Sequence, residues 1–549
     1  MVEPENQSNR WRGGEDCQGP TGQRSEGDHC SGGVGADGMN RSETKAKREV
    51  SHHGESKPQP TGQAGTTGKT AGVEGDGRVL RSSDDPPGSK HGGEPREGTC
   101  LNVDQRSQAP EDGRGEGEYL FDRITTPPKV QKLQRTLYRK AKAEPKYRFF
   151  SLYGDVCRGD VLDTAMRVIS ANDGGPGIDG FSIQTLARND EHWERWRAEL
   201  EKELKERRYQ PSPVLRKWIP KGEGKLRPLG VPTVKDRVVQ AAMVLVLMPI
   251  FEADFHPLSF AYRPRRNAHQ AMHEIKEGLR SGRSEVIDAD LSGYFDTIPH
   301  DKLLKLVARR VSDGTVLALI KAWLRAPIIE VDPKTRKRKI TPNDRGTPQG
   351  GVVSPLLANL YLDGLDKAVN QRCELKPKMI RYADDFVILC RKGEGQGLVE
   401  RVNRWVTARG LKLNEKKTRV VSSQRENFKF LGFSVGWRQG RSGRRYVHVE
   451  PHAKSCLKLR ERMREKLNHW TLTEPIEEQI KSVNRTLKGW AGYFRWGNYW
   501  KVFGRVQHAV NNRVRRWLWR KHDCRRGLYR HYTDELLHEK YGLLRIVPR

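Results

Sequence analysis

The chain has 549 residues, room for about two to four domains, with 35% hydrophobic and 31% charged side chains, a mean hydropathy of −0.81 and a formal net charge of +32. An excess this large exceeds what solubility requires and points to a polyanionic partner, nucleic acid foremost. The longest apolar run, AAMVLVLMPIF from Ala241, is shorter than the roughly 20 residues that span a bilayer, and eight cysteines without a C-x-x-C pair exclude a zinc ribbon and a disulfide scaffold.

No charged-then-apolar signal pattern opens the chain. A reduced, cytoplasmic, bacterial-type setting is the expectation. Residues 1–100 hold 20 of the 54 glycines and one aromatic residue, Trp11. They carry 13 basic and 16 acidic residues, so the rest of the chain, with 88 basic and 53 acidic, carries +35. A segment this poor in apolar side chains does not offset its ordering entropy, so 1–120 is expected to be a disordered Gly-rich extension.

Order should begin near Thr125. Leu133, Leu137 and Ala141 recur at four-residue spacing among Lys and Arg, which predicts a basic amphipathic helix. NDGGPGIDG (172–180) reads as a turn-rich loop, and a charged helix follows over about His192–Arg208. We assign 125–210 to a basic helical part. Residues 211–440 mix β-rich runs with helices, an α+β pattern, and the run from Ala241 reads as a buried helix.

Residues 450–549 read as all-helical. Three faces are predicted: Leu459, Met463, Leu467 and Trp470; Ile476, Ile480, Val483, Leu487 and Trp490; Phe503, Val506, Val510, Val514 and Trp517. Residues 451–549 carry 23 basic against 9 acidic residues and 6 of the 13 tryptophans. The third helix carries Arg513, Arg515, Arg516, Arg520 and Lys521. Coupled charge and aromatic content is what single-stranded RNA binding uses, so these five are candidate RNA contacts.

The chemistry concentrates in two short stretches. MIRYADDFVILC (379–390) reads as two strands joined by a turn made of ADD, placing Asp384 and Asp385 between apolar runs. EVIDADLSGYFDTIPH (285–300) puts Asp288 and Asp290 on one face of a strand, because side chains alternate. Carboxylates that converge repel unless a cation neutralises them. Hard oxygen ligands suit Mg²⁺, and two such ions can clamp the attacking and leaving oxygens of a phosphoryl displacement.

At these residues the chain resembles the group II intron reverse transcriptase/maturases, in the form that lacks the H-N-H endonuclease domain. YADD and the preceding D-x-x-x-x-F segment resemble the palm. WIPKGEGKLRPLGVPTVKDRVVQ (218–240) resembles the fingers, and FAYRPRRNAHQAM (260–272) the next block. RGTPQGGVVSPLLANLYLDGLD (345–366) resembles the block lining the nucleotide and template pocket. GLKLNEKKTRVV (410–421) and FKFLGF (428–433) resemble the last palm blocks, and LKGWAGYFRWG (487–497) the maturase-specific thumb.

The resemblance implies a right-hand fold, with fingers and palm at 211–440 and a helical thumb at 450–549. It implies RNA-directed DNA polymerisation with Mg²⁺ (two ions, Mn²⁺ as substitute), acting on an RNA template, a DNA primer and dNTPs, with intron RNA as a partner in splicing. It assigns catalysis and metal binding to Asp290, Asp384 and Asp385, and nucleotide contacts to Lys221, Arg227, Phe295 and Gln349, with Phe295 as the gate against a 2′-hydroxyl. Asp288 and Asp296 match no catalytic position, and Asp296 reads as a cap of the following helix. Ser354 and Pro355 read as N-cap and first helical residue. Many relatives continue into an endonuclease with paired cysteines. This sequence shows no such pairs, so priming from an existing 3′ end is the expectation. A splicing factor with a dead polymerase site, and a reverse transcriptase of a repair or defence system, stay open as alternatives. Deleting 1–120 is expected to leave primer extension within about twofold of the full chain; a large loss would refute the disorder assignment.

Overall fold

The computed structural model describes residues 126–547, apart from 173, 188, 189, 223, 224, 333 and 525, and excludes the side chains of 187, 190, 221, 222 and 225. The expected disordered extension, 1–120, lies outside the described residues.

Among the described residues, two four-stranded sheets and one three-stranded sheet are threaded through helices. The strands are β1 (Val214–Gly222), β2 (Lys225–Val231), β3 (Glu285–Asp290), β4 (Ile328–Val331), β5 (Arg338–Thr341), β6 (Lys378–Tyr382), β7 (Asp385–Cys390), β8 (Arg419–Ser422), β9 (Phe428–Phe430), β10 (Phe433–Gln439) and β11 (Arg445–Pro451). Their orders are β2-β1-β4-β5, β6-β7-β3-β8 and β11-β10-β9. This is the mixed helix-and-sheet, α+β architecture that the sequence predicts.

The sheet β6-β7-β3-β8 is covered on both faces, and alternation along its strands sorts the side chains. Ile287, Ala289, Met379, Phe386, Ile388 and Cys390 join a first core with the N-terminal helices. Val286, Ile380, Val387 and Leu389 join a second core on the opposite face. Apolar runs on both faces are what a doubly covered sheet requires.

The first core is built on α1 (Val234–Glu252), which buries nearly every side chain, as AAMVLVLMPIF predicts. Thr233 caps it, its hydroxyl accepting from the Asp236 N–H. The basic helix Pro128–Ala143 packs there through Val130, Leu137 and Ala141. The charged helix spans Asp190–Lys205, two residues ahead of its predicted start.

The second core joins palm and thumb. Ala271, Met272, Ile275 and Leu279 of α2 (Ala268–Arg280) belong to one cluster with Phe430, Phe433 and Val435 and with apolar residues of the C-terminal helices. Those helices are α3 (Ala453–Lys466), α4 (Ile476–Phe494) and α5 (Trp500–Lys521). The predicted faces hold at Leu459, Met463, Ile480, Val483, Leu487, Phe503, Val506, Val510, Val514 and Trp517. Trp470 is the exception. It sits in a 3₁₀ turn, 78% exposed, because the helix ends at Lys466 before the periodicity reaches it.

Because the helical segment shares a core with the palm, a hole in it weakens both. Leu487→Ala is expected to cost about 2–5 kcal/mol, read by urea unfolding.

Candidate active site

Asp290 ends β3 and Asp385 begins β7, and the antiparallel register sets them directly opposite each other. Opposed residues of such a pair project to one face. Asp288, two residues earlier on β3, shares that face by alternation. Tyr382 pairs with Asp385, so the turn consists of Ala383 and Asp384 alone. Ala383 adopts φ +63°, as the first central residue of a two-residue hairpin favours and as a side-chain-bearing residue resists. The sequence places all of ADD in the turn; in the structure Asp385 is already in the strand.

Burial pushes the Asp385 carboxyl up to about 7, and the charges of Asp288, Asp384 and Asp290 push it the same way. Burial also raises Asp288, against the pull of Arg419, whose Nε lies 3.4 Å from its carboxylate. Asp290 Oδ2 accepts from Lys417 Nζ at 2.7 Å and from Asn414 Nδ2 at 3.0 Å. The Asn414 backbone N–H donates to the Asp290 carbonyl at 2.8 Å. The LNEKKT stretch thus latches onto the last residue of β3.

The donors gathered here are hard carboxylate oxygens, and burial together with the neighbouring acids favours on Asp385 the proton that a cation would displace. Among the described residues no three acidic, His or Cys side chains form a ready-made metal cage. An ion of the Mg²⁺ type does not need one. It binds through one or two carboxylates and completes its shell with water and substrate phosphate. The donor chemistry therefore fits a divalent cation held by Asp290, Asp384 and Asp385.

Phe295 is half-buried in the short helix Tyr294–Thr297, its ring 5.5 Å from that of Tyr294. Its carbonyl accepts from the Thr347 N–H at 2.7 Å, and the Gly346 N–H donates to the Ile298 carbonyl at 2.8 Å. A Cβ on Gly346, where φ is +86°, would lie 2.6 Å from the Phe295 carbonyl oxygen, so only glycine lets the two segments meet. The Gln349 carbonyl accepts from Gly230 N–H at 2.6 Å, tying the TPQGG loop to β2. Gln240 supports the loop from below, its Oε1 accepting from the Val352 N–H at 2.8 Å. Between these segments opens a cleft of about 390 Å³ lined by Arg216, Gly230, Asp296, Arg345 and Gln349 among others.

Arg227 is exposed on β2, and its charge, with that of Arg216, opposes the upward push of partial desolvation on the Asp296 carboxyl. Lys221 belongs to β1, but its side chain lies outside the described residues. Asp296 does not cap the following helix. It lies within Tyr294–Thr297, and Pro299 precedes the helix His300–Val307. Ser354 is the first residue of α6 (Ser354–Asn370) rather than its N-cap, which is Val353; its hydroxyl donates to the Pro348 carbonyl at 3.0 Å.

The five basic residues of α5 do not form one surface. Arg515 is 4% exposed, paired with Asp534 and donating to the Tyr532 carbonyl at 2.6 Å. Arg513 donates to the Leu467 carbonyl at 2.6 Å, and Lys521 to the Leu472 and Glu474 carbonyls. These three tie the helices to one another from two sides of α5: Arg513 and Lys521 reach the chain at 467–474, and Arg515, two positions from Arg513 and so on a different side, reaches Tyr532 and Asp534. Arg516 and Arg520 are exposed and share a face.

The pressure on Asp385 has a readable consequence. The folded chain favours a proton there up to about pH 7, whereas an unfolded Asp carboxyl releases it near its ordinary value of about 3.9. Between those values the folded state binds more protons, so stability falls as pH rises. Asp385→Asn is expected to raise Tm in cation-free buffer by a few degrees at pH 8, with the gain vanishing near pH 4. An equal gain at both pH values would contradict this electrostatic account.

Residues 219–435 match the family described as reverse transcriptase (RNA-dependent DNA polymerase). Residues 458–534 match the group II intron, maturase-specific domain. Protein YkfC of Escherichia coli is 34% identical over 371 residues, 59% of this chain and 93% of that protein. The group II intron-encoded protein LtrA of Lactococcus lactis is 34% identical over 247 residues, 44% of this chain and 38% of LtrA. A telomerase from Candida albicans, solved with a fragment of telomeric RNA, aligns at a TM-score of 0.36 and 13% identity over 60% of this chain and 63% of that one, too slight a likeness to weigh. The palm with its paired acids, followed by the maturase-specific helices, places the chain in the group II intron reverse transcriptase/maturase family, whose enzymes are RNA-directed DNA polymerases that use divalent metal ions.

Proposed function

We propose that the chain extends a DNA primer on an RNA template by adding dNTPs, and that it binds an intron RNA and assists its splicing, in a bacterial-type cytoplasm. The observation that carries this reading is the opposition of Asp290 and Asp385 beside Asp384, which gathers acidic oxygens at one end of a doubly buried sheet. Asp290, Asp384 and Asp385 hold two Mg²⁺ ions, for which Mn²⁺ substitutes. When bound, the ions supply charge neutralisation for phosphoryl transfer.

The chain's own residues do the rest. Lys417 and Asn414 fix the Asp290 carboxylate in place. Arg227, with Lys221, meets the triphosphate of the incoming nucleotide, where negative charge needs fixed cations. Phe295 is held by its backbone against the TPQGG loop, and its ring excludes a 2′-hydroxyl. Gln349, its main chain anchored to β2, contacts the nucleotide or its template partner. Arg516 and Arg520 meet the phosphate backbone of RNA.

The test is dTTP incorporation on poly(rA)/oligo(dT) with Mg²⁺. The wild type is expected to be active, and Asp384→Ala with Asp385→Ala to lower the rate by on the order of a thousandfold or more. A folded, RNA-binding wild type without incorporation would favour a splicing factor. Phe295→Ala is expected to relax discrimination against ribonucleotides by about 10–100-fold in kcat/KM. Arg516→Ala with Arg520→Ala should weaken RNA binding and reduce its log–log salt slope by about 1–2, whereas Arg515→Ala should chiefly lower Tm.

A further inference from the structure

Arg381 lies in β6, two residues before the turn, and its side chain is completely buried. It stands on the face of Met379 and Phe386, opposite the face that Asp385 shares with Val387 and Leu389. Its Nε donates to both carboxylate oxygens of Asp366, at 2.9 and 3.0 Å, and its Nη2 to Asp366 Oδ2 at 2.6 Å. Its Nη1 donates to Asn359 Oδ1 and to the Ala383 carbonyl, each at 2.9 Å. Asp366 and Asn359 are each 1% exposed, and both belong to α6. Asn359 Nδ2 continues the chain of bonds to the Ala261 carbonyl at 2.8 Å.

Stability alone does not account for such a network. A buried ion pair roughly breaks even against apolar side chains of similar volume. What a guanidinium supplies that a Leu or Met does not is a rigid fork with donors in fixed directions. Here one prong reaches the carbonyl of Ala383, the residue held at φ +63°. That residue fixes the path of the chain through Asp384 into Asp385.

We propose that Arg381, held by Asp366 and Asn359, is the positioning residue of the acidic turn: from the opposite face of the sheet it locks Ala383 in the conformation that brings Asp384 and Asp385 to one cation site. The proposal rests on the reading that these aspartates, with Asp290, hold a divalent ion. It makes α6, the helix that follows the TPQGG loop, part of the metal site's frame.

The test uses the full chain and reads Mn²⁺ binding directly, by electron paramagnetic resonance without nucleic acid, beside Tm. Three variants are compared with wild type: Arg381→Met with Asp366→Leu, which replaces the pair by apolar volume; Arg381→Lys, which keeps the charge and loses the fork; and Asp384→Ala with Asp385→Ala. The apolar pair is expected to keep Tm within a few degrees of wild type and to weaken Mn²⁺ binding by about tenfold or more, the usual cost of losing an outer-shell support. The lysine variant is expected to lose Mn²⁺ affinity as well, and it serves as the deciding variant if the apolar pair does not fold. A lowered Tm with Mn²⁺ affinity unchanged would overturn the proposal, because a merely structural residue behaves that way. Wild-type Mn²⁺ binding that survives Asp384→Ala with Asp385→Ala would instead overturn the metal-site reading, and the positioning role would fall with it.

Discussion

One ladder of backbone hydrogen bonds, between β3 and β7, sets Asp290 against Asp385 and Asp288 against Val387. A slip of one residue would turn every side chain of β7 to the other face. Phe386, Ile388 and Cys390 would leave the first core, and Val387 and Leu389 the second. Because both faces are covered, a slip is costly on both, and the apolar residues hold the register on which the acids depend. The opposition of Asp290 and Asp385 is thus enforced by buried apolar side chains on both faces of the sheet.

That register carries an electrostatic cost. Desolvation and three neighbouring carboxylates all disfavour the charge on Asp385. The charge of Lys429 relieves part of this, and two further cations sit on the neighbouring acids, Lys417 on Asp290 and Arg419 on Asp288. Neither belongs to the strands that carry the acids. Both come from the segment just ahead of or within β8, which pairs with β3. The fold therefore brings basic side chains to the rim of the acidic end while leaving Asp385 crowded, which is the condition in which a divalent cation gains most on binding.

Much of this was legible in sequence. Period-two alternation in EVIDAD and the apolar runs flanking ADD are local signals, and local signals predicted the strands and the acidic pairing. The same alternation put Asp288 on the face of Asp290, yet a match to catalytic positions passed over it; its contribution depends on burial, which only the assembled sheet supplies. The helix faces of the thumb also followed from spacing. What spacing cannot show is which basic residue a distant segment will claim. Asp534 takes Arg515, and the carbonyls of Leu467, Leu472 and Glu474 take Arg513 and Lys521. Ser354 looked like a cap because Ser before Pro commonly is one. Its hydroxyl went instead to the Pro348 carbonyl in the loop above.

The boundary between palm and thumb is likewise a matter of packing rather than of chain order. A helical segment rich in Arg and Trp reads as a separate domain, but its apolar stripes run into the core formed by α2 and the strands β9–β11. His269 of α2 makes the junction concrete. Its Nε2 lies 2.7 Å from the Tyr493 carbonyl, and its ring stacks on Trp496 at 6.4 Å. Tyr493 in turn donates to the Leu431 carbonyl, within the FKFLGF stretch. The maturase-specific residues are therefore bonded to the palm's last strands. The second core thus runs from Val286, Val387 and Leu389 of the acidic sheet to the apolar faces of α3, α4 and α5, so the acidic strands and the basic helices are held by one set of packed side chains.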